Sequence, residues 1–181
     1  MGIGINPFNT AASNTHRLNA VNSSRTGYWV AKYADPADKG KTSNLDFMIY
    51  RYTDVLLMVV EALVESGQWN HPDVVKYLNQ IRRRAGMPNV NTAVYNSEAK
   101  MRELYRRERR IELAFEGHRL FDIRRWRMAE QVMNGMVEGA TNPATGETVI
   151  VETRHFNLNR DYLWPIPLRE IQGNPNMEQN P

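Results

Sequence analysis

Between Tyr50 and Gly67 the chain carries a run, YRYTDVLLMVVEALVESG, in which apolar side chains leave almost no face of a helix polar. Thr53 and Asp54 suit a first helical turn, the apolar residues continue through Val64, and Gly67 supplies the stop. A helix apolar nearly all round has to be buried among other helices. The next segment offers one neighbour. His71-Pro72-Asp73 places proline near the first helical position, where its missing N–H costs nothing. Val74, Leu78, Ile81 and Ala85 then form one stripe at helical spacing, closed by Gly86 with Pro88 just beyond. Two helices joined by a short turn, with Trp69 in that turn, make an αα-hairpin of tetratricopeptide size. One such pair cannot bury its own apolar faces and needs further neighbours.

Downstream, Asn96 or Ser97 can cap a third, longer helix with Met101, Leu104, Ile111 and Phe115 along one side. Gly117 costs about 1 kcal/mol inside a helix, so it marks a helix end or a tight contact. A further helix is expected from Arg119 to about Met133, stopping near Asn134-Gly135. Gly139 to Gly146 reads as an exposed loop, and ETVIVETRHF after it alternates like a strand or hairpin arm. The proline-rich tail, YLWPIPLREIQGNPNMEQNP, should run extended, pinned by Leu163, Trp164, Ile166 and Ile171. Residues 1–46, rich in Asn, Ser, Thr, Gly and Pro, read as an irregular segment wrapping a helical body over 47–181. Within that segment Gly27 to Tyr33 is expected to be a short extended stretch.

Composition bounds the function. The 181 residues are 41% hydrophobic and 24% charged, enough for a real core and unlike a disordered chain. Lys and Arg number 23 against 20 acidic residues, a net charge of +3, which argues little for nucleic acid or membrane lipid. The chain has no cysteine, which excludes disulfides, thiolate catalysis and cysteine-ligated zinc. Its longest apolar stretch, Val55 to Val60, falls far short of the roughly 20 residues that span a bilayer. The polar start shows no signal peptide.

The densest charge cluster is RELYRRERRIELAFEGHRLFDIRRW. Arg109, Glu112, Glu116, Arg119, Asp122 and Arg125 recur every three or four residues with opposite signs adjacent. That is a ladder of helix-surface ion pairs rather than a one-signed nucleic-acid stripe. Glu112, Glu116 and Asp122 are also the candidate carboxylates for glycoside hydrolysis. An arginine three residues away would hold each ionised and lower its pKa, the wrong direction for a general acid. His118 and Asp122 sit four apart, as metal ligands on a helix can, but no third ligand is near in sequence, so no metal site is assigned. No glycine-rich phosphate loop, GxSxG motif or nucleophile–base pair is present. Aromatics are the remaining route to function, because sugar rings stack on them. Trp126 and Trp164 sit in apolar contexts and are expected in the core. Tyr28 and Trp29 are the candidates for glycan contact.

Taken in order, TGYWVAKYADP (26–36), YRYTDVLLMVVEAL (50–63), YLNQIRRRAGMP (77–88), RRERRIELAFEGHRLFDIRRW (106–126) and YLWPIPLREIQGNPNMEQNP (162–181) resemble the carboxy-terminal region of the SusD/RagB family. The resemblance covers nearly the whole chain from Thr26 onward. It implies a mainly α fold of tetratricopeptide-like helix pairs with long irregular loops and a little β. It also implies a non-enzymatic surface lipoprotein of the Gram-negative outer membrane. Such a protein binds oligosaccharides or other nutrients and hands them to a TonB-dependent transporter of the SusC type. No cofactor is needed in general, although some members bind calcium. The family's motif residues are mostly architectural, so Glu112, Glu116, Arg119, Asp122, Arg125 and Trp126 become the expected packing and ion-pair core.

The family's amino-terminal half, export signal and lipid-bearing cysteine are not matched, so Met1-Gly2 reads as an expression start and the chain as a piece of a longer protein. Apolar faces meant for the rest should then make it oligomerise, swap elements or be marginally stable. Two other functions compete with glycan capture. The apolar helix at Val55 to Val64 suits a protein–protein scaffold, and the carboxylate cluster keeps a glycosidase in view.

Overall fold

Helices α1 (Tyr52–Glu65), α2 (Pro72–Arg84) and α3 (Glu98–Glu112) build the first core. The computed structural model describes residues 6–11, 14, 16–18, 20, 21, 23–35, 45, 46 and 48–180; the expected start at Met1-Gly2 lies outside them. Local chemistry sets each helix end. Gly67 and Gly86 take left-handed φ values of 80° and 71°. The N–H after each then closes the helix, Gln68 onto Leu63 C=O at 2.9 Å and Met87 onto Arg82 C=O at 2.8 Å. Ahead of Pro72, the His71 ring nitrogen accepts from the Asp73 N–H at 3.2 Å. Ser97, rather than Asn96, caps α3 by accepting from the Lys100 N–H.

Helix α1 packs on both α2 and α3. Leu57, Val60, Val64, Val74, Leu78, Met101, Leu104 and Tyr105 are buried there, each aliphatic contributing about 1.5–3 kcal/mol. Burial of α1 stops at one flank: Tyr52, Val55, Met58 and Val59 are exposed. Two residues expected on the inner side of the third helix are not there. Helix α3 ends at Glu112, Phe115 turns with φ 64°, and Ile111 and Phe115 are exposed. Gly117, φ 83°, lies beyond that end in the turn before Arg119, with nothing within 4 Å of where a Cβ would stand, so it marks neither the helix end nor a tight contact. Ala85, expected in the second helix's stripe, is the exposed C-cap of α2.

The chain divides into two compact units, residues 35–122 and residues 1–34 with 123–181. Helix α4 (Arg119–Arg125) crosses the boundary, and α5 (Ala129–Val132) comes next. The single helix expected from Arg119 to Met133 is therefore two, broken where Arg127 takes φ 51°. Strands β1 (Gly135–Thr141) and β2 (Thr148–Arg154) form an antiparallel hairpin, pairing Gly135 with Arg154 and Thr141 with Thr148. The expected 139–146 loop shrinks accordingly to the turn after Thr141, where Asn142 N–H donates to Glu147 C=O at 2.8 Å. Residues 28–31 form no strand. The tail is not wholly extended, because α6 (Leu168–Gly173) fits between Pro167 at its N-cap and Pro175 beyond its end, with no proline inside it. Trp126 is only half-buried, and Trp164 and Leu163 are exposed. Arg125 and Arg124 lie over the two indoles at 4.7 and 4.5 Å. Among the described residues no helix is long and apolar enough to cross a membrane.

Candidate functional site

The charged cluster assembles between elements, not along one helix. Arg109 of α3 donates to Asp54 of α1 at 2.6 Å and to Asp122 of α4 at 2.9 Å. The three side chains are only 5%, 0% and 4% exposed. Burying these charges is tolerable because the pairing offsets much of the desolvation cost. Asp54 Oδ2 has no hydrogen-bond partner among the described residues.

Arg51, the N-cap of α1, holds the end of α3. Its Nε and Nη2 donate to both oxygens of Glu116 at 2.8 and 2.9 Å, a bidentate clamp. Nη1 donates to the Glu112 carboxylate and Nη2 to the Glu112 C=O, each at 2.7 Å. Burial would weaken this cation, but the hydrogen bonds to Glu116 and Glu112 raise its pKa above the ordinary value. Glu112 also takes Arg84 of α2, and Arg82 pairs with Glu108. Arg51 and Arg84, distant in sequence, thus meet Glu112 and Glu116 beyond anything the three-residue spacing foretold. Arg119 stands beside Arg110 and Asp122, and burial together with Arg110 lowers its pKa. Among the described residues no three His, Cys, Asp or Glu gather as a metal site.

A second cluster joins α1 to α3. Glu65 accepts from Arg102 at 2.9 Å and from the buried Tyr105 hydroxyl at 2.6 Å. The Arg102 hydrogen bond, aided by Tyr105, draws the Glu65 pKa down to about 2. Burial, then the bond to Glu65, pushes Tyr105 up.

Tyr28 and Trp29 are positioned by the hairpin. The Ala140 N–H of β1 donates to Thr26 C=O at 2.7 Å. Gly139 permits that approach, since a Cβ there would lie 2.6 Å from the Thr26 oxygen. Gly27, φ 77°, then turns the chain against Ala140, and Thr26 Oγ1 accepts the Tyr28 N–H at 3.2 Å. This turn presents two adjacent aromatics, Tyr28 63% and Trp29 43% exposed. His16 meets the Trp29 ring edge-on at 5.2 Å. Exposed, anchored rings of this kind offer faces for the C–H surface of a sugar.

Sequence reading alone missed Arg51, Asp54, Arg84 and Glu65. Asp54 had a detectable signal: a carboxylate set in the apolar run before Val55 to Val60 has to find a buried partner. The partners of Arg51 lie 61 and 65 residues away and leave no local trace.

The sequence model of the SusD family matches residues 6–181. Among curated proteins, SusD-like protein P2 of Formosa agariphila is 32% identical over 155 residues, 82% of this chain and 28% of its own length. SusD-like protein P38 of the same organism is 29% identical over 157 residues, 83% of this chain and 27% of its own length. Among solved structures, a SusD-like carbohydrate binding protein from Bacteroides fragilis is 32% identical with a TM-score of 0.76, covering 94% of this chain and 37% of that one. A second SusD-like protein from Bacteroides fragilis is 32% identical with a TM-score of 0.62, covering 74% of this chain and 25% of that one. The chain therefore spans little more than a quarter of these two curated relatives.

Proposed function

The chain belongs to the SusD family, and on that premise we propose that its protein captures oligosaccharides or other nutrients at the outer-membrane surface, held there by a lipid anchor, and delivers them to a SusC-type TonB-dependent transporter. The carrying observation is the exposed Tyr28–Trp29 pair, fixed through Thr26 and Gly27 to strand β1. The likeness to a SusD-like carbohydrate binding protein supports it. We read the protein as non-enzymatic: Glu112 and Glu116 both end on Arg51 and Asp122 ends on Arg109, so all three serve packing.

The test is calorimetry of the full-length protein against an oligosaccharide panel, with Tyr28→Ala and Trp29→Ala beside it. At least one glycan should bind, and each variant should weaken it about tenfold, the scale of one lost aromatic contact. Tight binding of a peptide with no glycan bound would overturn the substrate class. Full affinity in both variants would move the site elsewhere.

One observation favours a second reading, a protein–protein scaffold: the uncharged flank of α1 formed by Tyr52, Val55, Met58 and Val59. Recovery of a transporter by this chain alone would support it, and failure of the chain to associate with anything would end it.

A further inference from the structure

We propose that the pocket beside Arg127 binds the anionic substituent, a carboxylate or a sulfate, of an acidic sugar; this deepens the glycan-capture reading and rests on it. The pocket holds about 180 Å3 and is lined by Arg127, Leu158, Asn159, Arg160, Tyr162 and Leu163.

Arg127 stands where a glycine belongs. Its N–H donates to Arg124 C=O and the Met128 N–H to Ile123 C=O, both at 3.1 Å. That is the closure Gly67 and Gly86 make on α1 and α2, and it puts Arg127 at φ 51°. A long side chain kept at a left-handed position suggests that the side chain has a use there.

The guanidinium is also pre-organised. It lies 4.5 Å over the Tyr162 ring, and that ring is fixed on its other sides. The Tyr162 hydroxyl donates to Glu130 and accepts from the Ala129 N–H at 3.1 Å. Phe156 packs edge-on to it at 4.9 Å. Among the described residues no carboxylate lies within ion-pair distance of Arg127, and its side chain donates no hydrogen bond. Stacking on an aromatic face leaves the in-plane N–H fork open, the geometry that receives a carboxylate or sulfate.

The surrounding charges leave a positive excess. Arg160 is taken by Asp161 at 2.6 Å, and Arg124 donates to the Asp161 C=O while covering Trp164. With Arg127 these are three cations against the carboxylates of Glu130 and Asp161. Leu158 and Leu163, both more than half exposed, supply an apolar wall for a sugar ring beside the cation.

The experiment is calorimetry of the intact protein with two matched probe pairs: oligogalacturonate against its methyl-esterified form, and a sulfated galactan oligosaccharide against its desulfated form. At least one charged probe should bind about tenfold more tightly than its uncharged partner, and added salt should erode that margin. The responding pair identifies carboxylate or sulfate. Arg127→Gly should abolish the margin while the thermal midpoint holds or rises, because glycine suits that φ; Arg127→Lys should keep part of it. Equal binding of charged and uncharged partners, or a margin that survives Arg127→Gly, would overturn this inference and leave glycan capture standing. Failure of every saccharide to bind would overturn both.

Discussion

Arginine does two different jobs in the two units. In residues 35–122, Arg51, Arg82 and Arg109 end on carboxylates contributed by other helices, and most of their surface is gone from water. In residues 123–181, Arg124, Arg125 and Arg127 lie over Trp164, Trp126 and Tyr162, and these stacks stay near the surface. The first arrangement ties elements together and uses up the cation's donors. The second holds the cation by its face, and at Arg127 it leaves the edge available. The lattice therefore belongs to stability, and the stacks are where recognition can be built.

The lattice is tested hardest at its centre. Arg109→Met should leave Asp54 buried and unpaired and take one partner from Asp122, at a cost of about 3–5 kcal/mol read as a fall in the urea midpoint. Replacing all three by apolar residues of similar volume should restore most of that loss, as expected when the penalty lies in stranded charge rather than in a strong pair. A restored pair-free variant that stayed as unstable as Arg109→Met would contradict this account. Next, Arg51→Ala should cost about 2–3 kcal/mol through the lost charged hydrogen bonds at the end of α3, again by urea unfolding.

In the other unit, Arg124→Gln should cost only about 0.5–1 kcal/mol, the worth of an exposed stack on Trp164. A loss as large as that of Arg51→Ala would erase the contrast between the units. The smallest effect is in acid. Since Arg102 holds Glu65 near pKa 2, below the ordinary carboxylate value of 4.5, its stabilisation is complete above that ordinary value. It is lost as pH falls from there through about 2. Urea midpoints between pH 5 and pH 2 should fall more steeply in the parent than in Glu65→Gln. The difference shrinks with salt, because the Glu65 side chain is 37% exposed.

Much of the first unit was legible in the sequence. Gly67, Gly86 and Ser97 mark ends that local hydrogen bonding enforces within five residues, through the backbone at the glycines and through the Ser97 hydroxyl, so a linear reading finds them. The same reading failed at Arg127, where an ordinary residue occupies the left-handed turn and gives no stop signal. It missed β1 because GMVEGAT resembles a loop until β2 pairs with it. It assigned Trp164 to the core from apolar neighbours in sequence, whereas the ring is covered on one face by Arg124. For the candidate site, Tyr28 and Trp29 were nameable as aromatics in an irregular segment, but their anchoring depends on Gly139, more than a hundred residues later.

The sequence by itself determined where the first two helices begin and end and where the third begins, and that the dense Arg, Glu and Asp cluster would be balanced in sign. Tertiary structure alone decided which charge meets which. Caps and turns are closed by atoms a few bonds apart along the chain. An ion pair such as Arg109 with Asp54 depends on the distance between two helices, and that distance is set only when their apolar faces pack.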